Sequence, residues 1–329
     1  MSRTSRLAPK FDAFKQLDEN NRRLVDYSPQ DRPWDKHRAQ ADAVEEIFAA
    51  GPGLHHQRWA ERLHECSAVL GFAWEGDPET GESRLRLRTA GFCRVRLCPV
   101  CQWRRSMKHK ARLMERLPAI QSRYPKHRWL FLTLTVRNCP VERLRDEIKK
   151  LTQGFTNLRR YGRFPAVGWI RTIEVTRGKD GSAHPHLHVL LLVPPSYFRG
   201  NSYLKTSDWV RLWRKAMQLD YDPVVDVRTV KPNARRGRNA LESAVAEIAK
   251  YSTKPSQLTE EDEWLKVYAE QVHRLRFVDS GGVLRGILAD DYDDLIHVDE
   301  GDDGDGGGDE EPDLFFTWDR PSKHYVKDG

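Results

Sequence analysis

His184-Pro-His-Leu-His-Val-Leu-Leu-Leu-Val193 sets histidines at 184, 186 and 188 and closes on five consecutive aliphatic residues. In an extended strand, side chains two residues apart point to the same side. His184, His186 and His188 therefore share one face, and Leu187, Val189, Leu191 and Val193 the other. The aliphatic run marks a strand buried against a core. Pro185 confines the segment to the start or edge of that strand. Imidazoles side by side at the rim of a buried strand suit a metal, because neutral imidazole is the commonest protein metal ligand. The bland alternative is a polar, solvated sheet face.

The flanking sequence supplies partners for this strand. Residues 129–136 alternate, with Leu130, Leu132, Leu134 and Val136 on one side. A helix follows over 141–158, with Leu144, Ile148, Leu151, Phe155 and Leu158 at helical spacing. A second strand covers 167–176 and carries Glu174. The turn Gly178-Lys-Asp-Gly181 joins it to the histidine strand as a hairpin. Residues 207–217 read as a helix with Trp209, Val210, Trp213 and Met217 inward, and 224–230 as a fourth strand. A basic loop, 231–238, leads to a helix over 240–253. The order β-α-β-β-α-β, then helix, predicts an α+β domain with a ferredoxin-like antiparallel sheet.

The 329-residue chain carries a net charge of +7, an average that hides an asymmetry. Residues 286–329 hold 15 acids and three bases, Arg320, Lys323 and Lys327, leaving 52 Lys and Arg against 33 Asp and Glu, a net of +19, in residues 1–285. So basic a body expects a polyanion, and nucleic acid is the default. No apolar run approaches a membrane span and the start has no signal-peptide core, so a soluble, cytoplasmic protein is expected. Residues 290–313 are acidic and Gly-rich and read as disordered. Leu314-Phe-Phe-Thr-Trp318 is a candidate anchor returning to the body. Residues 1–55 read as a polar arm with one helix at 38–50, carrying Val44, Ile47 and Phe48 as its apolar stripe.

Four of the five cysteines fall between 66 and 101. In a cytosolic protein they are expected to be reduced, which favours thiolate ligation over disulfides. Cys98-Pro-Val-Cys101 is a C-x-x-C knuckle that presents two sulfurs to one tetrahedral Zn²⁺. Cys93 and Cys66 complete a four-sulfur set, with His64 and His109 as rivals for the fourth position. A redox C-x-x-C is the other reading, but no thioredoxin-like strand–helix context surrounds it. The helix that follows, with Arg104, Arg105 and Lys108, reads as a phosphate-contacting face; a solvated surface is its bland counterpart. Arg235 and Arg236 in the basic loop are further DNA-contact candidates.

On the helix over 240–253, Glu247, Tyr251 and Lys254 sit at i, i+4 and i+7, which is one face. Such a ladder is common on solvated helices. Beside a histidine-bound metal it reads differently. A phenol can attack a phosphodiester when a metal withdraws charge from the phosphate. Two imidazoles and a carboxylate leave positions open for phosphate oxygens, and Glu174, in the partner strand, is the best carboxylate. Mixed His and carboxylate donors suit Mn²⁺ or Mg²⁺. Lys250 or Lys254 is placed to stabilise the phosphate or lower the phenol's pKa, near 10 unperturbed.

The order Phe131-Leu-Thr-Leu-Thr135, Glu174, His186-Leu-His188 and Tyr251-Ser-Thr-Lys254 resembles the HUH endonucleases. With Phe92-Cys-Arg-Val-Arg-Leu-Cys-Pro-Val-Cys-Gln-Trp-Arg-Arg105, His184-Pro-His-Leu-His188 and Glu247-Ile-Ala-Lys-Tyr251, residues 60–290 are similar to rolling-circle plasmid replication initiators. The resemblance implies binding to a plasmid double-strand origin and nicking of one strand at a hairpin. Tyr251 would be left on the 5′ phosphate and a 3′ hydroxyl freed for a host polymerase, with a host helicase as further partner. It implies His186, His188 and Glu174 as metal ligands, His184 as ligand or orienting residue, and Glu247 as the acid that activates water at termination. The domains expected are an N-terminal arm (1–59), a zinc-binding basic module (60–126), an HUH endonuclease domain (127–256), a helical extension (257–289) and an acidic flexible tail (290–329). The alternatives are an HUH single-strand transposase or relaxase, although relaxases carry their tyrosine before the histidines, and a non-catalytic zinc-containing DNA-binding regulator.

Overall fold

The alternating segments around the histidine run become β3 (Arg128–Thr135), β4 (Gly168–Arg177) and β5 (Ala183–Val193). β5 pairs antiparallel with both β3 and β4, placing His186 opposite Thr135 on one side and Glu174 on the other. In the computed structural model, which describes residues 22–76, 83–232, 239–249 (240 and 247 by backbone alone), 261–289, 295–296 and 311–328, the chain divides into two compact units. The first holds residues 1–101, 294–297 and 301–329, and the second 102–293 and 298–300.

The second unit is built on one antiparallel sheet. Besides these strands it contains α5 (Leu144–Arg160), α6 (Thr206–Met217), β6 (Val225–Thr229), α7 (Ala240–Ile248), α8 (Asp262–Val272) and β7 (Val278–Gly282), and most of α4 (Pro99–Arg123). The strand order is β6-β3-β5-β4-β7. Leu187, Val189, Leu191 and Val193 are fully buried on the face where α5 packs, beside Leu132, Leu134 and Ile173. The opposite face carries the histidines and continues into Phe131, Ile170, Leu190 and Leu192. These residues form one core with Leu113 and Leu117 of α4 and with Ala244, Val245 and Ile248 of α7. Each such fully buried aliphatic adds roughly 1.5–3 kcal/mol of burial free energy. Asn239 caps α7: its side chain accepts from Glu242 N–H at 2.9 Å, and Glu242 accepts from Asn239 N–H at 2.8 Å.

One expectation changes here. The helical extension expected over 257–289 is, among the described residues, an α-helix only at α8, and Val278–Gly282 is a fifth strand along β4. Val-Asp-Ser-Gly-Gly has no apolar alternation, so sheet pairing and not local pattern sets it. The helix expected at 240–253 is described as far as Ile248; residues 250–260 lie outside the described residues.

The first unit contains α1 (Leu24–Tyr27), α2 (Pro33–Ala49), α3 (Leu54–His64), β1 (Val69–Gly76), β2 (Ser83–Ala90), β8 (Leu314–Asp319) and β9 (His324–Lys327). Its antiparallel sheet has the order β2-β1-β8-β9. Among the described residues, the segment expected as an arm with one helix thus holds α1, α2 and the start of α3, with Trp34 and Phe48 buried. The candidate anchor is β8, paired with β1, so the stretch expected as a tail contains two strands. The pair is fastened to α2 by polar contacts: Tyr325 N–H donates to Asp35 at 3.0 Å and Trp318 Nε1 to Asp42 at 2.8 Å. The Tyr325 hydroxyl donates to the Ser67 carbonyl at 2.7 Å.

Candidate metal centre and nucleic-acid interface

The hairpin register brings Glu174, His186 and His188 together. His188 Nε2 lies 2.7 Å, and His186 Nε2 3.5 Å, from the same Glu174 carboxylate oxygen. One donor atom from each of the three lies within 4.8 Å of the others. His186 is 8% exposed, so the site is recessed yet open to solvent through His188 and Glu174.

The far ring nitrogens are held by other groups. His186 Nδ1 meets the carbonyl of His184 at 3.2 Å. A carbonyl only accepts, so Nδ1 is the donor in this contact and Nε2 is the nitrogen left facing Glu174. His188 Nδ1 is 3.2 Å from the Thr133 hydroxyl, and its ring stacks on Phe131 with centroids 5.5 Å apart. Burial opposes ionisation of Glu174, but hydrogen bonds and positive charge from His186 and His188 outweigh it. They hold its carboxyl well below the usual range. An anionic oxygen facing imidazole nitrogens is the donor chemistry a divalent cation requires.

His184 shares the strand face but stands outside this donor group. Its ring is 5.3 Å from that of His186, and its Nδ1 is 2.7 Å from the Asn138 side-chain oxygen. Burial, with the charge of His186, lowers its pKa. Sequence reasoning did not single out Thr133 and Asn138 as partners of these rings. Thr133 lay inside the quoted Phe131–Thr135 motif; nothing in the sequence marks Asn138.

Glu247 lies on α7, whose apolar side packs on the same sheet face as the cluster. The Ser106 hydroxyl of α4 donates to the Ala249 carbonyl at 3.0 Å, fastening the end of this segment. Tyr251, Lys250, Lys254, Arg235 and Arg236 lie outside the described residues, and Glu247 is described by its backbone.

In the first unit Cys66, Cys93, Cys98 and Cys101 converge, all buried. Their sulfurs are 3.5 Å (Cys66–Cys98), 3.7 Å (Cys66–Cys101) and 3.7 Å (Cys93–Cys101) apart. A tetrahedral Zn²⁺ with Zn–S near 2.3 Å spaces its sulfurs about 3.8 Å apart, so the cage has the right size. Backbone N–H groups of Arg94 and Val95 point at the Cys101 and Cys93 sulfurs at 3.3 and 3.4 Å. Hydrogen bonds from the other three thiols favour a Cys66 thiolate, whereas burial pushes Cys98 up. Four buried thiols cannot all ionise without a cation. His64, a rival ligand, is instead held by Glu45 at 2.9 Å and Arg320 at 3.1 Å. Cys139 stays apart; burial first, then Glu147, raises its thiol to about 11, which keeps it unreactive.

The expected phosphate-contacting residues of α4 are largely covered. Arg104 (2% exposed) and Lys108 (8%) are buried, and Arg105 is half-buried. The Arg104 guanidinium lies over the Trp103 ring at 5.4 Å. Further along, Arg112 donates to the Ala289 carbonyl at 2.8 Å and Arg116 to Ile287 at 3.0 Å. Several of these cations hold the unit together.

Among the described residues, this basic α+β chain thus holds one thiol cage and one imidazole–carboxylate cluster, donor sets that suit metal ions. The sequence profile of the replication protein family matches residues 84–326, and the chain belongs to this family of plasmid rolling-circle replication initiators. It is 37% identical over 287 residues to Protein rep of Lactiplantibacillus plantarum, covering 82% of this chain and 87% of that one. It is 38% identical over 278 residues to Protein rep of Bacillus amyloliquefaciens, with 76% and 79% covered. With the Replication protein of Staphylococcus aureus it shares 34% identity over 235 residues, 67% of this chain and 98% of that one. No solved structure matches. The role of the chain is therefore in plasmid replication. Among the described residues, no helix is long and apolar enough to cross a membrane.

Proposed function

We propose that this protein is a nicking–closing endonuclease of the HUH superfamily that starts rolling-circle replication by cutting one strand of the plasmid double-strand origin. Its second unit is then the ferredoxin-like HUH domain, the core of that sheet being β3 to β6 in a β-α-β-β-α-β order. His186, His188 and Glu174 hold Mn²⁺ or Mg²⁺, and His184 orients the site through Asn138. The bound ion supplies charge withdrawal from a phosphate oxygen. The phenol oxygen of Tyr251 bonds to phosphorus as the bond from phosphorus to the 3′ oxygen breaks. The departing oxygen takes a proton to become the 3′ hydroxyl primer, and the 5′ phosphate stays on Tyr251. Lys250 and Lys254 offset charge on the phosphate and favour the ionised phenol. At termination Glu247 takes a proton from water at the same phosphate, so no second tyrosine is required. Zn²⁺ in the four-cysteine cage is structural. Duplex and single-stranded origin DNA, a host helicase and a host polymerase are the partners in this scheme.

The observation that carries this reading is the convergence of Glu174, His186 and His188 on the sheet face against which α7 packs. Tyr251 follows the last α7 residue, Ile248, by three positions. The test is cleavage of a labelled single-stranded oligonucleotide from the plasmid origin with Mn²⁺. Wild type is expected to nick and Tyr251→Phe is not. Nicking by both removes Tyr251 as nucleophile, and nicking by neither favours a DNA-binding regulator. Glu247→Ala is expected to nick but fail to terminate.

A further inference from the structure

At the opposite end of β4 from Glu174 lies a second concave site. It is a cleft of about 500 Å³ walled by Arg159, Trp169, Arg276, Arg285 and the turn from Ser280 to Gly286. The strand separates Trp169 from Glu174 by about 17 Å at ~3.3 Å per residue, and odd- and even-numbered residues face opposite sides. The cleft is therefore distinct from the imidazole–carboxylate cluster.

Its chemistry is that of an anion site. Among the described residues, Asp279 is the one acid that lines it. That carboxylate is already shared by Arg171 at 3.3 Å and Arg276 at 3.5 Å. Arg171, 4% exposed, stands behind this wall with its Nη1 buried and lacking a hydrogen-bond partner. The buried Nε of Arg159 is likewise without one. Burial lowers the pKa of both guanidinium groups, and Asp279 offsets this only in part. Arg159 lies over the Trp169 ring at 4.6 Å, which holds its planar fork at the cleft wall. Gly281 and Gly282 make this shape attainable. A Cβ on Gly281 would meet the Trp169 ring at 2.5 Å, and Gly282 adopts φ +63° with the Val167 carbonyl 2.2 Å from where its Cβ would stand.

We infer that this cleft binds backbone phosphates of DNA lying outside the strand cut at the metal cluster, giving the initiator a second, sequence-independent hold on its substrate. Planar guanidinium forks match phosphate oxygens two at a time. The chain's established role supplies the polyanion. Free phosphate compounds share this chemistry and are separated from DNA by the test.

The test uses the full chain and the double variant Arg276→Gln/Arg285→Gln, both exposed positions, with thermal unfolding as the check on folding. Binding to an arbitrary duplex of about 30 base pairs is measured against salt, since phosphate contacts are indifferent to sequence. Losing two phosphate contacts is expected to make the slope of log K against log salt shallower by about 1.8, at ~0.9 per phosphate. Metal-dependent cleavage of a short single-stranded oligonucleotide is expected to stay within twofold of wild type. Inorganic phosphate and thymidine monophosphate are expected to leave the melting temperature of both proteins unchanged. An unchanged slope overturns the inference, and stabilisation of wild type alone by free phosphate would then assign the cleft to a small anion. Loss of short-oligonucleotide cleavage would also overturn it, by merging the cleft with the metal cluster. The slope reads binding alone, so it remains decisive if the nuclease reading fails.

Discussion

Thr133→Val tests the metal cluster through a residue that touches no metal. The substitution keeps side-chain volume and removes the hydroxyl 3.2 Å from His188 Nδ1. With that partner gone, Nδ1 loses its hydrogen bond, and the ring loses the contact that aims Nε2 at the shared site. Removing such an outer partner of a ligating histidine typically costs 10–100-fold in metal affinity. The 3.2 Å separation is at the long end for an N–H···O bond from Nδ1, which places the expectation at the low end, about tenfold or ~1.4 kcal/mol. The assay is calorimetric titration of metal-free protein with Mn²⁺. Thr133 pairs in the sheet by its backbone, so thermal stability is expected to change by less than ~0.5 kcal/mol. Affinity within twofold of wild type would refute the argument that Thr133 holds the ring of His188 in its ligating orientation.

Other outcomes follow from the same geometry. One Zn²⁺ per chain is expected by elemental analysis, and Cys98→Ser, at a fully buried cage position, is expected to lose it together with the cooperative melting of the first unit. Retention of one zinc ion per chain by that variant would contradict the cage. His37 is buried with its pKa pushed down to about 4, by burial and then by Lys36. The unfolded chain therefore binds the proton first, so stability is expected to fall as pH drops from about 6.5 toward 4. The loss is on the order of 2–3 kcal/mol, and His37→Gln is expected to flatten the curve measured by denaturant titration. Gly282→Ala forces a side chain into φ +63° against the Val167 carbonyl; chemical denaturation is expected to show a loss of more than about 1 kcal/mol.

Much of the second unit was legible because its signals are local. Alternation in β5 separates the histidines from Leu187, Val189 and Leu191, and the short Gly178–Gly181 turn sets the hairpin register that puts Glu174 opposite His186. The four cysteines were legible because thiols at C-x-x-C spacing have few other uses in a reduced compartment. What escaped the sequence depends on distant pairing. β1 joins β8 across some 240 residues, and no local pattern announces it. β7 is glycine-rich and polar, and is a strand only because β4 offers it an edge. Arg104 and Lys108 read as surface cations, since helical periodicity cannot tell a charged face that meets solvent from one that is covered. Asn138 became visible only when the loop after β3 met His184.

The most direct measurement of the central claim is mass spectrometry of the protein after reaction with a single-stranded origin oligonucleotide and Mn²⁺. The account predicts a protease-derived peptide containing Tyr251, carrying a 5′-phosphorylated DNA fragment, and its absence from Glu174→Gln. A DNA-linked peptide from another part of the chain, or cleaved DNA with no covalent adduct at any stage of the reaction, would contradict it.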